Sequence, residues 1–215
     1  MNQALEAIAD KKETHIYRLR HSLSHILAAA VRQMRPEARL AFGPPVENGF
    51  YYDFDFGDCP LGESDLEEVE RRMNAVIKER RPFVRTEKPF DEAVRYLEEM
   101  GETYKAEYAR ELIETGTATG EALSFYSCGD FTDMCEGPHL ENTGNVPKKC
   151  FKLDRISGSY WRGDEKRPML TRIYGIAFES AQELSGYIAM RKLAMERDHR
   201  KLGEELDLFI QDSEV

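Results

Sequence analysis

Apolar residues recur at helical spacing from Thr14 to Met34. Ile16, Leu19, Leu23, Ile26, Leu27, Ala30 and Met34 fall on one stripe, and Pro36 stops the helix they predict. After a turn at Gly43-Pro44-Pro45 the period changes to two: Phe50, Tyr52, Phe54 and Phe56 share one face of a predicted strand. Ser64 followed by Glu67 reads as a capping box for a charged helix reaching about Arg80. Phe83 to Glu87 reads as a strand. Asp91 to Met100 and Tyr104 to Glu114 read as short helices, punctuated by Gly101 and Gly116. Leu123 to Cys128 predicts another strand, and Gly129 to Gly144 a long loop. The runs Phe151 to Arg162 and Met169 to Phe178 flank a turn at residues 163–168 and predict a β-hairpin. Ser180 with Glu183 caps a last helix drawn to about Phe209, whose later turns are too polar for a core and read as a spacer. Helices and hairpins without regular βα alternation predict an α+β fold. The expected domain covers residues 14–179. A short leader (residues 1–13) precedes it and a long linker helix (residues 180–215) follows.

Composition adds constraints. Hydrophobic residues make up 41% and charged residues 33% of 215 residues, which fits a solvated globular domain. No apolar run reaches membrane-spanning length, the first residues lack a signal-peptide core, and no membrane partner is expected. Four irregularly spaced cysteines make no disulfide framework, so a reducing, cytoplasmic setting is expected. The net charge of −10 excludes a general grip on nucleic acid. Any such contact must be local, at patches such as Arg191, Lys192, Arg197, Arg200 and Lys201, or supplied by another part of a larger protein. With no glycine-rich phosphate loop, the chain has no visible means of using ATP.

Candidate chemistry gathers in three places. His21 and His25 stand one helical turn apart, on one face and roughly opposite the Leu19/Leu23/Ile26/Leu27 stripe. A random histidine pair is more often packed or solvated than functional. Here the same face continues into Ala28 and Ala29, which reads as a wall between core and cleft. Cys135-Glu-Gly-Pro-His139 lies in a Gly/Pro loop just after Asp133. A loop cysteine is usually inert, but His21, His25, Cys135 and His139 together form a plausible zinc set. Cys128 is a rival for the thiol role. Lys105 opens a helix, where a cation is unfavourable; surface lysines are common, so this signal is mild. Tyr51, on the polar face of its strand, could reach a cleft.

The pair His21-x-x-x-His25 and Cys135-x-x-x-His139 resembles the paired motif of the editing domains of threonyl- and alanyl-tRNA synthetases. Further stretches resemble the threonyl branch: Gly43-Pro-Pro-Val-Glu-Asn-Gly-Phe-Tyr-Tyr-Asp53, Gly158-Ser-Tyr-Trp-Arg-Gly-Asp164, Arg172-Ile-Tyr-Gly-Ile-Ala-Phe178 and Arg197-Asp-His-Arg-Lys-Leu-Gly203. The resemblance runs from about Thr14 to Val215. It implies hydrolysis of serine wrongly esterified to threonine tRNA, with no aminoacylation by this piece alone. It also implies a two-layer domain whose central, histidine-bearing helix packs on a β-sheet and forms a cleft with the Cys-x-x-x-His loop. His21 or His25 would position water, Lys105 would stabilise developing charge, and Asp133 would meet the α-ammonium of the amino acid. Cys135 and His139 would line the site beside Tyr51. The implied partners are threonine tRNA and the catalytic and anticodon-binding domains of the same synthetase, with any homodimer made through the catalytic core. Editing would require no cofactor, although zinc could enter the His/His/Cys/His site. The alternatives are a zinc-dependent hydrolase of a small molecule, a free-standing editor acting in trans, and a non-catalytic RNA-binding appendage.

Overall fold

The computed structural model describes Lys12 and residues 14–117 and 121–196. Helix α1 (His15–Met34) begins where the Thr14 side chain accepts a hydrogen bond from the Tyr17 amide at 3.3 Å. Short strands β1 (Arg39–Leu40) and β2 (Pro45–Val46) lead into β3 (Gly49–Asp55). Helix α2 (Leu66–Lys78), strand β4 (Phe83–Pro89) and helices α3 (Phe90–Glu99) and α4 (Thr103–Glu114) follow. Strands β5 (Ala122–Cys128), β6 (Phe131–Met134), β7 (Phe151–Tyr160) and β8 (Met169–Ala177) precede helix α5 (Ala181–Glu196).

The strands form two antiparallel sheets. The larger runs β1-β3-β8-β7, with β2 also paired to β3; the smaller runs β4-β5-β6. Alternation along β3 places Phe50, Tyr52 and Phe54 in the main core, where they meet Leu19, Leu23, Ile26 and Leu27 of α1 and Val69, Met73 and Val76 of α2. A second core joins Ala93, Leu97, Ala106 and Ala109 of α3 and α4 to Leu123 and Phe125 of β5. The fold is thus α+β, with the histidine helix packed on the large sheet. Its other side faces β6 and the loop beyond it, so α1 is buried on both sides from His21 to Val31.

Two local expectations change and a third is met in part. Residues 129–144 are not all loop, because Phe131–Met134 pairs with β5 across a turn at Gly129, whose φ is +63°. Four residues are too short to show a period of two. Ser64 and Glu67 do not make the capping box. Ser64 lies in a 3₁₀ turn (Glu63–Asp65), and the Asp65 carboxylate accepts from the Gly62 amide at 2.8 Å, so α2 starts at Leu66. Ser180 does cap α5, its hydroxyl accepting from the Glu183 amide at 3.2 Å, but the Glu183 carboxylate accepts from the Glu179 amide at 3.1 Å, one residue before the cap, so the box is only half closed. The expected run of this helix to Phe209, and the cations Arg197, Arg200 and Lys201, lie outside the described residues. Arg191 pairs with Asp154 at 2.9 Å, and Lys192 is exposed beside Glu196. No described helix is long and apolar enough to cross a membrane.

Candidate active site

Helical spacing places His21 and His25 on one wall of a cleft of about 920 Å³. Phe42 to Pro45, Lys105, Tyr108 and the β6 residues Asp133 and Met134 line it further. The loop after β6 is held to its neighbour strand: the Cys135 amide donates to the Ser124 carbonyl at 3.0 Å, and the Ser124 hydroxyl donates to the Cys135 carbonyl at 2.6 Å. Gly137 then turns the chain with φ +72°, and a Cβ there would lie 2.3 Å from the Tyr126 hydroxyl. Only glycine fits, and the turn brings His139 back against α1. The His139 ring stacks on Phe83 at 4.9 Å between centroids.

The four candidate ligands converge. One donor atom from each of His21, His25, Cys135 and His139 lies within 4.8 Å of the others. Cys135 Sγ is 3.1 Å from His21 Nε2 and 3.4 Å from His139 Nε2, and it accepts from the Gly137 amide at 3.1 Å. His21 Nδ1 lies 3.1 Å from the Pro138 carbonyl. A carbonyl can only accept, so Nδ1 carries the proton and Nε2 turns its lone pair toward the sulfur. Cys128, the rival thiol, is buried at the far end of β5 and takes no part.

Lys105 is only 2% exposed. Its ammonium forms an ion pair with Asp133 Oδ1 and donates to the Tyr52 hydroxyl at 2.8 Å. Tyr52 in turn donates to Asp133 Oδ2 at 2.6 Å, and His25 Nε2 lies 3.6 Å from that oxygen. The carboxylate expected to await an ammonium therefore already holds one within the fold. Tyr51 points the other way: its ring lies under the Arg172 guanidinium at 3.9 Å, on the outer face of the large sheet and outside the cleft lining. Its neighbour Tyr52 reaches the site instead.

Burial sets the protonation states. Loss of water pushes His21 down to about 4, His139 down to about 2, and His25 well below the usual imidazole value. All three are neutral at pH 7. The Cys135 thiol is pushed up to about 11 by the same cause, against the Gly137 amide. Burial lowers Lys105 to about 7, opposed by the charge of Glu102. A neutral base beside a cation that sheds its proton near pH 7 is suited to proton transfer.

Comparison with known proteins extends the geometry. The profile of the threonyl and alanyl tRNA synthetase second additional domain matches residues 123–174, which include the Cys135-x-x-x-His139 loop. The chain is 51% identical to a threonine–tRNA ligase of Acetivibrio thermocellus over 190 residues, 88% of this chain and 29% of that protein. It is 48% identical to one from Nitratidesulfovibrio vulgaris over 191 residues, 89% of this chain and 28% of that protein. With one from Laribacter hongkongensis it shares 46% over 209 residues, 97% of this chain and 32% of that protein. Residues 123–174 thus match this synthetase domain, and nearly the whole chain aligns with these threonine–tRNA ligases at 46–51% identity. It spans about three tenths of the length of these relatives.

Sequence reasoning missed Ser22, Tyr52 and Glu102. Ser22 is wholly buried between the two histidines; its hydroxyl accepts from the Leu140 amide at 2.9 Å and lies 3.3 Å from His139 Nδ1. Glu102 accepts from the Leu40 amide at 2.9 Å and pairs with Arg32 at 3.1 Å, tying the start of α4 to α1. A polar residue inside a buried helical turn was the one available signal for Ser22. Ser22→Ala strands a buried amide and an imidazole nitrogen, so urea unfolding should show a loss of about 1–3 kcal/mol. A change below a few tenths would mean that the loop is held by other contacts.

Proposed function

We propose that the chain is an editing module that hydrolyses the ester of serine wrongly attached to threonine tRNA, releasing serine and tRNA. Residues 14–179 form the hydrolytic unit, and residues 180–215 connect it to the catalytic and anticodon-binding domains of a longer synthetase. The observation that carries this reading is the placement of the buried Lys105 beside neutral His21 and His25 on one cleft. An aminoacyl ester is already activated, so water deprotonated by a neutral imidazole can attack its carbonyl. The Lys105 ammonium can stabilise the oxyanion or the leaving ribose oxygen. The need follows from selectivity: one missing methyl gives a threonine site only about 1–3 kcal/mol against serine, and a second site that admits the smaller residue supplies the rest.

The convergent His/His/Cys/His donors favour a second reading, a zinc-dependent hydrolase of a small molecule. Tetrahedral zinc with bonds of about 2.3 Å to sulfur and 2.0 Å to nitrogen would set S···N separations near ~3.5 Å. The spacings of 3.1 and 3.4 Å fit with little expansion. His21, His25, Cys135 and His139 would hold the ion, which would supply either a structural cross-link or Lewis acidity. Editing as proposed needs no cofactor and relies on imidazole and Lys105. One experiment separates the readings: chelator-treated protein, confirmed metal-free by elemental analysis, is assayed on serine and threonine esters of threonine tRNA. Hydrolysis of the serine ester with the threonine ester largely spared is expected. Equal rates on both esters would contradict the sieve, and activity that returns only with zinc would establish a metallohydrolase.

A further inference from the structure

The β7–β8 hairpin carries a charge opposite to that of the chain around it. From Lys148 to Arg172 there are eight lysines and arginines against three carboxylates, a net of +5 in a chain of net −10. Some of these cations are used within the fold. Arg162 pairs with Glu111, Arg167 with Glu107, and Arg172 grips Asp53 through bonds of 2.6 and 2.7 Å. The base of the hairpin differs. Lys148, Lys149, Lys152 and Arg155 are exposed, and among the described residues none of the four forms an ion pair. Asp154, the one carboxylate between them, is already taken by Arg191 at 2.9 Å.

Beside these cations the outer face of the sheet presents aromatic rings. Tyr51 and Tyr174 are directly opposite each other on β3 and β8, with ring centroids 5.7 Å apart. The Arg155 guanidinium lies 4.2 Å over Tyr174, as Arg172 does over Tyr51. Neither tyrosine lines the cleft. The function proposed above leaves this face, and the Arg172-Ile-Tyr-Gly run on it, unused.

We propose that Lys148, Lys149, Lys152 and Arg155, with Tyr174 and Tyr51, form the docking surface for an RNA strand whose 3′ end runs to the cleft. The identity of that strand as a tRNA acceptor arm rests on the editing reading; the surface itself rests on charge and geometry. Unpaired lysines and an arginine supply phosphate contacts. Half-buried tyrosines, each capped by a guanidinium plane, offer ring edges and planar cations on which unpaired bases can stack. The acidic remainder of the chain repels phosphate elsewhere, which makes the hairpin the preferred landing place. Reach is adequate: β7 lies three strand spacings, about 14 Å, from β1. The cleft opens beside β1 and β2, at Phe42 to Pro45, and a short single strand spans that distance.

The test uses the 215-residue chain and an RNA hairpin with a single-stranded 3′ overhang, dye-labelled, followed by fluorescence anisotropy over a range of salt. In the triple variant Lys149→Gln/Lys152→Gln/Arg155→Gln, affinity should fall about tenfold or more. The plot of log affinity against log salt should flatten by about 2 to 3, since each phosphate contact contributes about 0.7–0.9 to the slope. Hydrolysis of 3′-O-seryl adenosine, which reaches only the cleft, should be unchanged. Undetectable RNA binding by the parent chain, or equal affinity and slope for parent and variant, overturns the proposal. So does a result in which the variant keeps its RNA affinity but loses thermal stability only within a full-length synthetase, which would make the face a domain interface. Failure to hydrolyse seryl adenosine, with RNA binding intact, would sink the editing reading and leave this surface standing.

Discussion

Lys105→Met is expected to leave a folded protein that hydrolyses the seryl ester of threonine tRNA at about one hundredth of the parent rate or less. Among the described residues the ammonium is the only buried cation lining the cleft, and deleting one preorganised group opposite a developing oxyanion costs about 10²–10³ in rate. Methionine keeps the volume of the stem, so the void is small. The charge is a separate matter. Asp133 would lose its ion pair at 4% exposure, and removing one partner of a buried pair costs roughly 3–5 kcal/mol. Lys105→Met/Asp133→Asn removes both charges and should recover most of that stability without recovering activity. A double variant that is stable and fully active would remove Lys105 from the chemistry. The pH profile gives an independent check. Lys105 gives up its proton as pH rises through about 7, whereas His21 takes one up only near 4. The enzymatic rate, corrected for spontaneous ester hydrolysis, should therefore fall above neutrality in the parent chain.

The histidine helix was legible because two independent signals agree in it: a 3.6-residue apolar stripe and Pro36 just beyond its end. The gathering of His21, His25, Cys135 and His139 was legible from spacing, since each pair is four residues apart and each closes locally. The Lys105–Asp133–Tyr52 triangle was not. Its members are 28 to 81 residues apart, lie on three different elements, and follow no shared period. Tyr51 was placed at the cleft because alternation turns it away from the apolar side of β3, and Tyr52 was assigned to the core. That inference takes the greasy face of a strand to be sealed. At Tyr52 the inner face of the large sheet meets Lys105 and Asp133, so an inward hydroxyl serves the site while the outward ring serves the sheet surface. The histidines raise a related point. They oppose the apolar stripe, as the wheel requires, yet are 8% and 3% exposed because β6 and its loop close over them. Truncation to alanine would therefore open a space as well as remove a base.

Acidification should destabilise the domain steeply, well before its carboxylates are neutralised. Folding requires His21, His25 and His139 to be neutral, with His21 held near 4, His139 near 2 and His25 well below the usual value, against 6.5 when exposed. Between those limits the unfolded chain binds protons that the folded chain does not, so stability falls as pH falls below 6.5. From pH 7 to pH 5 His21 and His139 each remove about 2 kcal/mol and His25 acts in the same direction, so the loss is a large part of the roughly 5–15 kcal/mol of a typical domain. Two buried carboxylates act in the opposite sense. Asp53 and Glu102 are raised by burial, so the folded chain takes up their protons first and regains some stability as pH falls. Two such gains reduce the loss without cancelling three imidazoles. Guanidinium unfolding midpoints at pH 7 and pH 5 measure the difference, and His25→Gln isolates one contribution, since it should weaken the pH dependence. Equal stability at the two pH values, or the same acid sensitivity in the His25→Gln variant, would show that water and protons reach these rings, and the site would then hold charged imidazoles where ester hydrolysis requires neutral ones.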